Sequence, residues 1–240
     1  MISVCMITYN GEKYLKEQVV SILKQLNNND ELIISDDSST DSTVNILESF
    51  NDNRIKLLKN NKFRNPTFNM ENALKHAKGD YIFLSDQDDV WLENKVQTII
   101  SYLKEFDYVV SDCYITDENL RINNETRFLK EAKITTNKFL ALFRPTPYQG
   151  SCAAFRRNVL QKSLPFPKYI QSHDRWIGYI ASFFFNYKII PEKLIYYRRH
   201  SNNVSTSSTG KSKNSFKQKV FFRIGNIVAL VSRALKFNKK

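Results

Sequence analysis

The sequence predicts an α/β fold: a mostly parallel, doubly wound central sheet flanked by helices and followed by a C-terminal basic amphipathic helix. Two observations predict it. β-type apolar runs alternate with helix-periodic segments through the first hundred residues, and three of those runs deliver polar residues, Thr8, Asp36 and Asp86, to their ends, where ligands gather in open α/β sheets. At 240 residues, 42% hydrophobic and 25% charged, the chain can bury a substantial core.

Taken in order, Ile2–Thr8 is a buried strand, and an Asn10-Gly11 turn leads to a helix from about Lys13 to Leu26 with Leu15, Val19, Ile22 and Leu26 on one face. Glu31–Ser35 is a strand, 36–41 a loop and helix cap, and Val44–Phe50 a helix. A short strand at Ile55–Leu58, a helix at about Phe68–Ala77, the strand Tyr81–Ser85 and a helix from Leu92 to about Lys104 follow. The second half is less regular. Tyr108–Ile115 and Gly150–Phe155 read as strands, 117–135 as polar and mobile, Asp174–Phe184 as a helix, and Lys188–Ile190 and Ile195–Arg199 as two short strands. Residues 201–215 have loop composition.

The net charge of +12 invites a nucleic-acid reading, but it is unevenly placed. Nine Lys or Arg and no acid lie between Lys211 and Lys240, leaving 27 bases against 24 acids in the rest. A nucleic-acid module would carry its charge on the folded body, so no nucleic-acid partner is expected. On a helix, Phe216, Val220, Ile224, Ile227, Val228, Val231 and Leu235 share one side, with Lys219, Arg223, Asn226 and Arg233 on another. Such a helix suits an anionic membrane surface. No run is long enough to span a bilayer, and residues 1–10 lack a basic n-region and cleavage site. A cytoplasmic protein, peripheral on the inner face of the plasma membrane, is therefore expected. Cys5, Cys113 and Cys152 are odd in number and sit in apolar segments, which favours buried free thiols.

The chemistry concentrates in Tyr81-Ile-Phe-Leu-Ser-Asp-Gln-Asp-Asp-Val-Trp91. Asp86, Asp88 and Asp89 are three like charges within four residues, a repulsion that a hard cation such as Mg²⁺ or Mn²⁺ relieves; one of them also suits a helix cap. Asp36 and Asp37 follow a strand, where a carboxylate accepts a hydrogen bond from a pyrimidine N–H or a ribose hydroxyl, or caps the next helix. Arg198 and Arg199 offer guanidinium forks that match phosphate oxygens.

Four segments occur in one order: Ile2-Ser-Val-Cys-Met-Ile-Thr-Tyr-Asn-Gly11, Ser35-Asp-Asp-Ser-Ser-Thr-Asp-Ser42, Gly79 to Trp91 and His173-Asp-Arg-Trp176. In this the chain resembles family 2 glycosyltransferases over roughly residues 1–200, and its Asp-Gln-Asp-Asp-Val-Trp form looks like the bacterial rhamnosyl-, glucosyl- and galactosyltransferase branch that builds surface polysaccharides. The resemblance implies a GT-A fold over residues 1–200, with a nucleotide-binding half (1–105) and an acceptor-binding half (106–200), then a flexible loop (201–215) and the helical tail (216–240). It also implies inverting transfer of a hexose or deoxyhexose from UDP-glucose, UDP-galactose or dTDP-rhamnose to a lipid-linked saccharide, with Mn²⁺ or Mg²⁺.

Under that resemblance, Thr8, Tyr9, Asn10, Asp36, Asp37, Asp86, Gln87, Arg198 and Arg199 bind the nucleotide sugar. Asp88, Asp86 and His200 hold the metal, and Asp174 is the general base. His173 stands where the family commonly has Glu. Residues 201–215 are expected to close over the donor and limit hydrolysis. A sugar nucleotidyltransferase would share the metal and nucleotide features, but Thr8-Tyr-Asn-Gly11 lacks the Gly-rich basic phosphate loop usual there. A catalytically silent nucleotide-sugar-binding relative is the other alternative.

Overall fold

The computed structural model describes residues 1–124, 126, 137–143, 146–200 and 215–237. The loop expected to close over the donor lies outside these except for Ser215, and so does most of the 117–135 segment expected to be mobile.

The first half builds β1 (Ile2–Thr8), α1 (Leu15–Leu23), β2 (Glu31–Asp36), α2 (Thr43–Ser49), β3 (Ile55–Leu58), α3 (Pro66–His76) and β4 (Tyr81–Ser85). Their sheet order is β3-β2-β1-β4, all parallel. β1, β2 and β4 are covered on both faces, which is why they read as continuous apolar runs rather than alternating ones. The chain winds outward from β1 to β3 and returns to β4 on the other side, so the switch point falls where Thr8 and Asp86 leave neighbouring strands. α3 begins two residues earlier than its periodicity suggests. Pro66 opens it without wasting a donor, and the Asn65 side chain accepts the Thr67 N–H at 2.8 Å.

After β4 the chain makes a two-residue strand, β5 (Val90–Trp91), where the sequence reading approaches a helix. A β-branched and an aromatic residue pair there, antiparallel, with Tyr196 and Ile195, and α4 starts only at Lys95, running to Leu103. The remaining elements are β6 (Tyr108–Thr116), β7 (Ile122–Asn124), α5 (Lys138–Ala141), a 3₁₀ turn at Gly150–Cys152, β8 (Ala153–Arg156), α6 (Arg157–Ser163), α7 (His173–Phe184), β9 (Tyr187–Arg198) and α8 (Phe216–Phe237). β8 is antiparallel to both β4 and β6, and β9 is parallel to β6. Among the described residues, six of the nine strands therefore run in one direction. β9 is one strand where two were expected; register shifts at Asp112 accommodate Pro191, whose ring cannot donate to a ladder. β7, α5 and α6 were not anticipated. All three cysteines are buried and none is in a disulfide.

α8 packs on the body with its polar side inward. Asn226 and Leu230 are buried, Arg223 donates to the Phe143 carbonyl at 3.1 Å, and Arg233 donates to the carbonyls of Ser163 and Pro165. Its apolar stripe faces out.

α7 passes close to the aromatic core at Gly178, where an added Cβ would lie 2.2 Å from the Tyr148 ring. Tyr148 itself is wedged edge-on between Tyr108 and Tyr179 and cannot retreat. Gly178→Ala should cost about 3 kcal/mol through overpacking, read as a lower urea midpoint at unchanged slope; a midpoint equal to the parent's would show that the ring can move.

Candidate active site

The site is assembled at the switch point, and Gln87 ties it there. Its amide accepts from the Tyr9 N–H at 2.9 Å and donates to the Tyr9 carbonyl at 3.0 Å, extending the β1–β4 pairing by one side chain. Gly11 is required beside it, because a Cβ would come within 2.3 Å of the Gln87 amide oxygen. Asn10, at φ 48°, accepts the Thr40 N–H at 2.8 Å and so joins the β1 loop to the loop after β2.

Asp36 is buried and takes three internal donors: the Thr8 hydroxyl at 2.8 Å and the Ser39 N–H and hydroxyl at 2.9 and 2.5 Å. Asp37 accepts the Phe63 N–H at 2.7 Å. Neither caps α2, whose first turn instead has Thr43 N–H bonded to Asp41 at 3.0 Å. Tyr9 leaves its side chain 58% exposed beside these loops.

The acidic run divides into three environments. Asp89 is fully buried and accepts the Arg198 backbone N–H at 3.1 Å; burial, then Asp88 and Asp86, push its carboxyl well above the usual range. Asp86 is pushed up to about 7 by burial, then by the charges of Asp88 and Asp174. Asp174, 88 residues later in sequence, is thus close enough for Asp86 to feel it. Asp88 is reached by His200 Nε2 at 2.9 Å, because β5 pairs with the end of β9.

Arg198 is the clamp behind this arrangement. It is buried, and its guanidinium donates to the Asp88 carbonyl at 2.9 Å, the Glu118 carbonyl at 2.5 Å and the Glu17 carboxylate at 2.5 Å, lying over the Tyr14 ring at 4.5 Å. The fork that the sequence offers to phosphate is closed around protein groups, and it holds the chain that carries Asp88. Tyr14 also packs against the His200 ring at 4.9 Å. Arg199 differs: its backbone is held by the Thr116 carbonyl at 3.0 Å, while its buried Nε has no partner among the described residues.

Asp174 occupies the first turn of α7. Its Oδ1 accepts its neighbour's N–H, from Arg175, at 2.7 Å, and the Arg175 guanidinium turns to Gln171 at 2.8 Å. Among the described residues no ion pair joins Asp174 to Arg175, so a merely structural charge pair is not what holds it. His173 packs over Gly150, and burial pushes its imidazole toward the neutral form.

Lys95 was missed. It lies under the acidic run, 1% exposed, donating to the Ser151 carbonyl at 2.6 Å and sitting 4.6 Å over the Trp91 ring; burial pushes its ammonium down to about 8, against the pull of Cys152, Asp89, Cys113 and Asp86. The signal was available, since Lys95 shares a helical face with Val96, Ile99 and Leu103. A charge on a core face calls for a buried counterpart.

A divalent cation fits the residues present. Among the described residues no three His, Cys, Asp or Glu side chains converge as a cage, but cations bound with phosphates characteristically take only one or two carboxylates from the protein. Asp88, with Asp86 and His200 beside it, supplies oxygen and nitrogen donors, and Asp86 is raised by burial first and by the neighbouring charges of Asp88 and Asp174 next.

Residues 3–164 match the family described as Glycosyl transferase family 2. The chain is 34% identical over 142 residues to the Escherichia coli UDP-Glc:alpha-D-GlcNAc-diphosphoundecaprenol beta-1,3-glucosyltransferase WfgD, covering 58% of this chain and 55% of that protein. The match thus spans about half the length of that curated relative. Among solved structures it is similar to S. aureus TarS 1-349 in complex with UDP-GlcNAc, at TM-score 0.67 and 23% identity, covering 84% of this chain and 59% of that one. It is also similar to the mannosyltransferase PcManGT from Pyrobaculum calidifontis in complex with GDP-Man and Mn²⁺, at TM-score 0.65 and 17% identity over 98% of this chain and 73% of that one. These structural likenesses establish a GT-A-type fold.

Proposed function

The chain belongs to glycosyl transferase family 2, and from that membership we propose that it is an inverting glycosyltransferase moving a hexose or deoxyhexose from a nucleotide sugar onto a lipid-linked saccharide of a bacterial surface polysaccharide. The observation that carries this reading is the approach of three separate segments at the switch point: the loop after β4 with Asp86 and Asp88, the start of α7 with Asp174, and the end of β9 with His200, whose ring reaches Asp88. WfgD, by its name, uses UDP-Glc and a GlcNAc-diphospholipid, so UDP-glucose is the first donor to test, with UDP-galactose and dTDP-rhamnose beside it.

In this mechanism Tyr9 offers its exposed ring to the base, and the loops held by Thr8, Asn10, Asp36 and Asp37 form the wall around the nucleoside. Asp88, with Asp86 and His200, would hold a divalent cation, Mn²⁺ or Mg²⁺, which supplies positive charge to a departing diphosphate. Arg199, whose buried Nε has no partner among the described residues, would offer its guanidinium to phosphate oxygens, while Arg198 keeps Asp88 in place. Asp174 takes the acceptor hydroxyl's proton as that oxygen forms its bond to the anomeric carbon. The bond from that carbon to the diphosphate oxygen breaks on the opposite face, and its electron pair leaves with the nucleotide. The neutral His173 beside Asp174 adds no competing charge.

The test is turnover of the three donors with a GlcNAc-diphospholipid acceptor and Mn²⁺, with the product's anomeric configuration read by NMR. Transfer with inversion is expected from one donor. Retention, or release of diphosphate from a nucleoside triphosphate and a sugar phosphate, would overturn the reading.

A further inference from the structure

We propose that the outward stripe of α8, together with α5 and the loop at Tyr169, forms a docking surface for an anionic lipid bilayer, a partner that rests on the lipid-linked acceptor proposed above. The sequence places a basic amphipathic helix at 216–240, but the structure sets it in an unexpected attitude. The two arginines that would reach lipid headgroups, Arg223 and Arg233, are turned inward onto the carbonyls of Phe143, Ser163 and Pro165. Gly225 lets the helix approach closely, since a Cβ there would be 3.1 Å from the Tyr169 carbonyl. What faces out is apolar: Phe221, Ile224, Val228, Val231 and Leu235, spaced three and four apart along one line and each 53–62% exposed. A helix packed only for stability turns the other way.

The stripe does not stop at the helix. Tyr169 packs edge-on against Phe221 at 5.7 Å and is 61% exposed, and Arg223 lies 5.7 Å over Phe143, which is 55% exposed. Phe139, 63% exposed, continues the surface on α5. Lys138, Lys168 and Lys217 stand exposed around it, and the sequence has no Asp or Glu from 132 to 173 or from 193 to 240. An apolar face with aromatic residues and an all-basic margin matches acyl chains bordered by anionic headgroups. A second copy of this chain would set lysine against lysine, which disfavours self-pairing. No described helix is long and apolar enough to cross a membrane, so the surface lies on the bilayer.

The placement serves the reaction. α8 and α5 both pack on α7, the helix that carries Asp174, and Arg233 lies 6.0 Å over Trp176 two residues beyond it. A bilayer seated on this surface brings a lipid-linked saccharide to the side of the molecule where the carboxylate stands.

The test uses the full chain and vesicles of phosphatidylglycerol with phosphatidylcholine, or phosphatidylcholine alone, measured by co-sedimentation. The parent should partition onto the anionic vesicles, less so at high salt, and Ile224→Ser/Val228→Ser/Leu235→Ser should weaken that binding at least about tenfold. The three side chains are exposed, so the melting temperature should hold. Turnover with a short water-soluble acceptor should also hold, which separates this surface from the transferase reading: loss of turnover in the parent with vesicle binding intact would fault the latter alone. Failure of the parent to bind anionic vesicles, unchanged binding by the triple variant, or a dimer in light scattering that the triple variant abolishes would each overturn the proposal.

Discussion

Asp174→Asn should lower kcat by about 10³ while leaving nucleotide-sugar affinity within about twofold. The substitution preserves size and keeps an oxygen for the Arg175 N–H that Asp174 accepts at 2.7 Å. Arg175 remains on Gln171, so no ion pair is lost and the first turn of α7 should stay as it is. What disappears is the capacity to receive a proton. Calorimetry with the donor and kinetics at saturating donor separate the two effects. A variant that loses binding and turnover together would place Asp174 among the donor contacts instead of at the acceptor. His173 is the internal control, because its imidazole is held toward neutral by burial and stands next in the chain. If His173→Gln costs as much as Asp174→Asn with the Asp174 variant still turning over, the proton goes to the imidazole.

How much of this was legible depends on whether the deciding contact is local. β1, β2 and β4 announce themselves because a strand buried on both faces must be apolar throughout. The acidic run is legible because three carboxylates in four residues have no structural reason to crowd. Asp174 stands out only through resemblance to a family, since one Asp at a helix start is ordinary. Contacts between distant segments were illegible. Arg198 reads as a phosphate ligand because Arg-Arg-His looks like an exposed basic cluster, yet its partners, Glu17 and the Glu118 carbonyl, lie 181 and 80 residues away and close it inside. Lys188–Ile190 and Ile195–Arg199 read as two strands, and what joins them is a bulge at Pro191 and Glu192 opposite Ser111 and Asp112 of β6, a partner about 80 residues away. The tail reads as an amphipathic helix, but which side meets the body follows from the carbonyls of Phe143, Ser163 and Pro165 that its arginines reach, beyond any periodicity argument.

Asp88→Asn should reduce kcat/KM by about 10³ and yet make the metal-free protein more stable at pH 8. The second half of that expectation follows from the site's electrostatics. Asp86 is pushed up to about 7 by burial first and by Asp88 next, and Asp89 is raised by the same two causes. A carboxyl whose folded value exceeds its unfolded one is still protonated in the folded chain when the unfolded chain has already ionised. Between about pH 4 and 7 the folded state therefore binds more protons, and its stability falls as pH rises. Removing the Asp88 charge lowers the Asp86 carboxyl and recovers part of that loss. A divalent cation should offset the same repulsion in the parent: at one hundred times its Kd it adds about 2.7 kcal/mol, or roughly 5–10 °C in Tm for a chain of this size. Asp88→Asn should show little of that rise, its His200 partner notwithstanding. Melting curves of both proteins at pH 8, with and without Mn²⁺, decide the matter together with turnover. An Asp88→Asn protein that melts below the parent without metal, or gains as much from Mn²⁺, would mean that the carboxylate serves the fold through His200 and not a cation at the diphosphate.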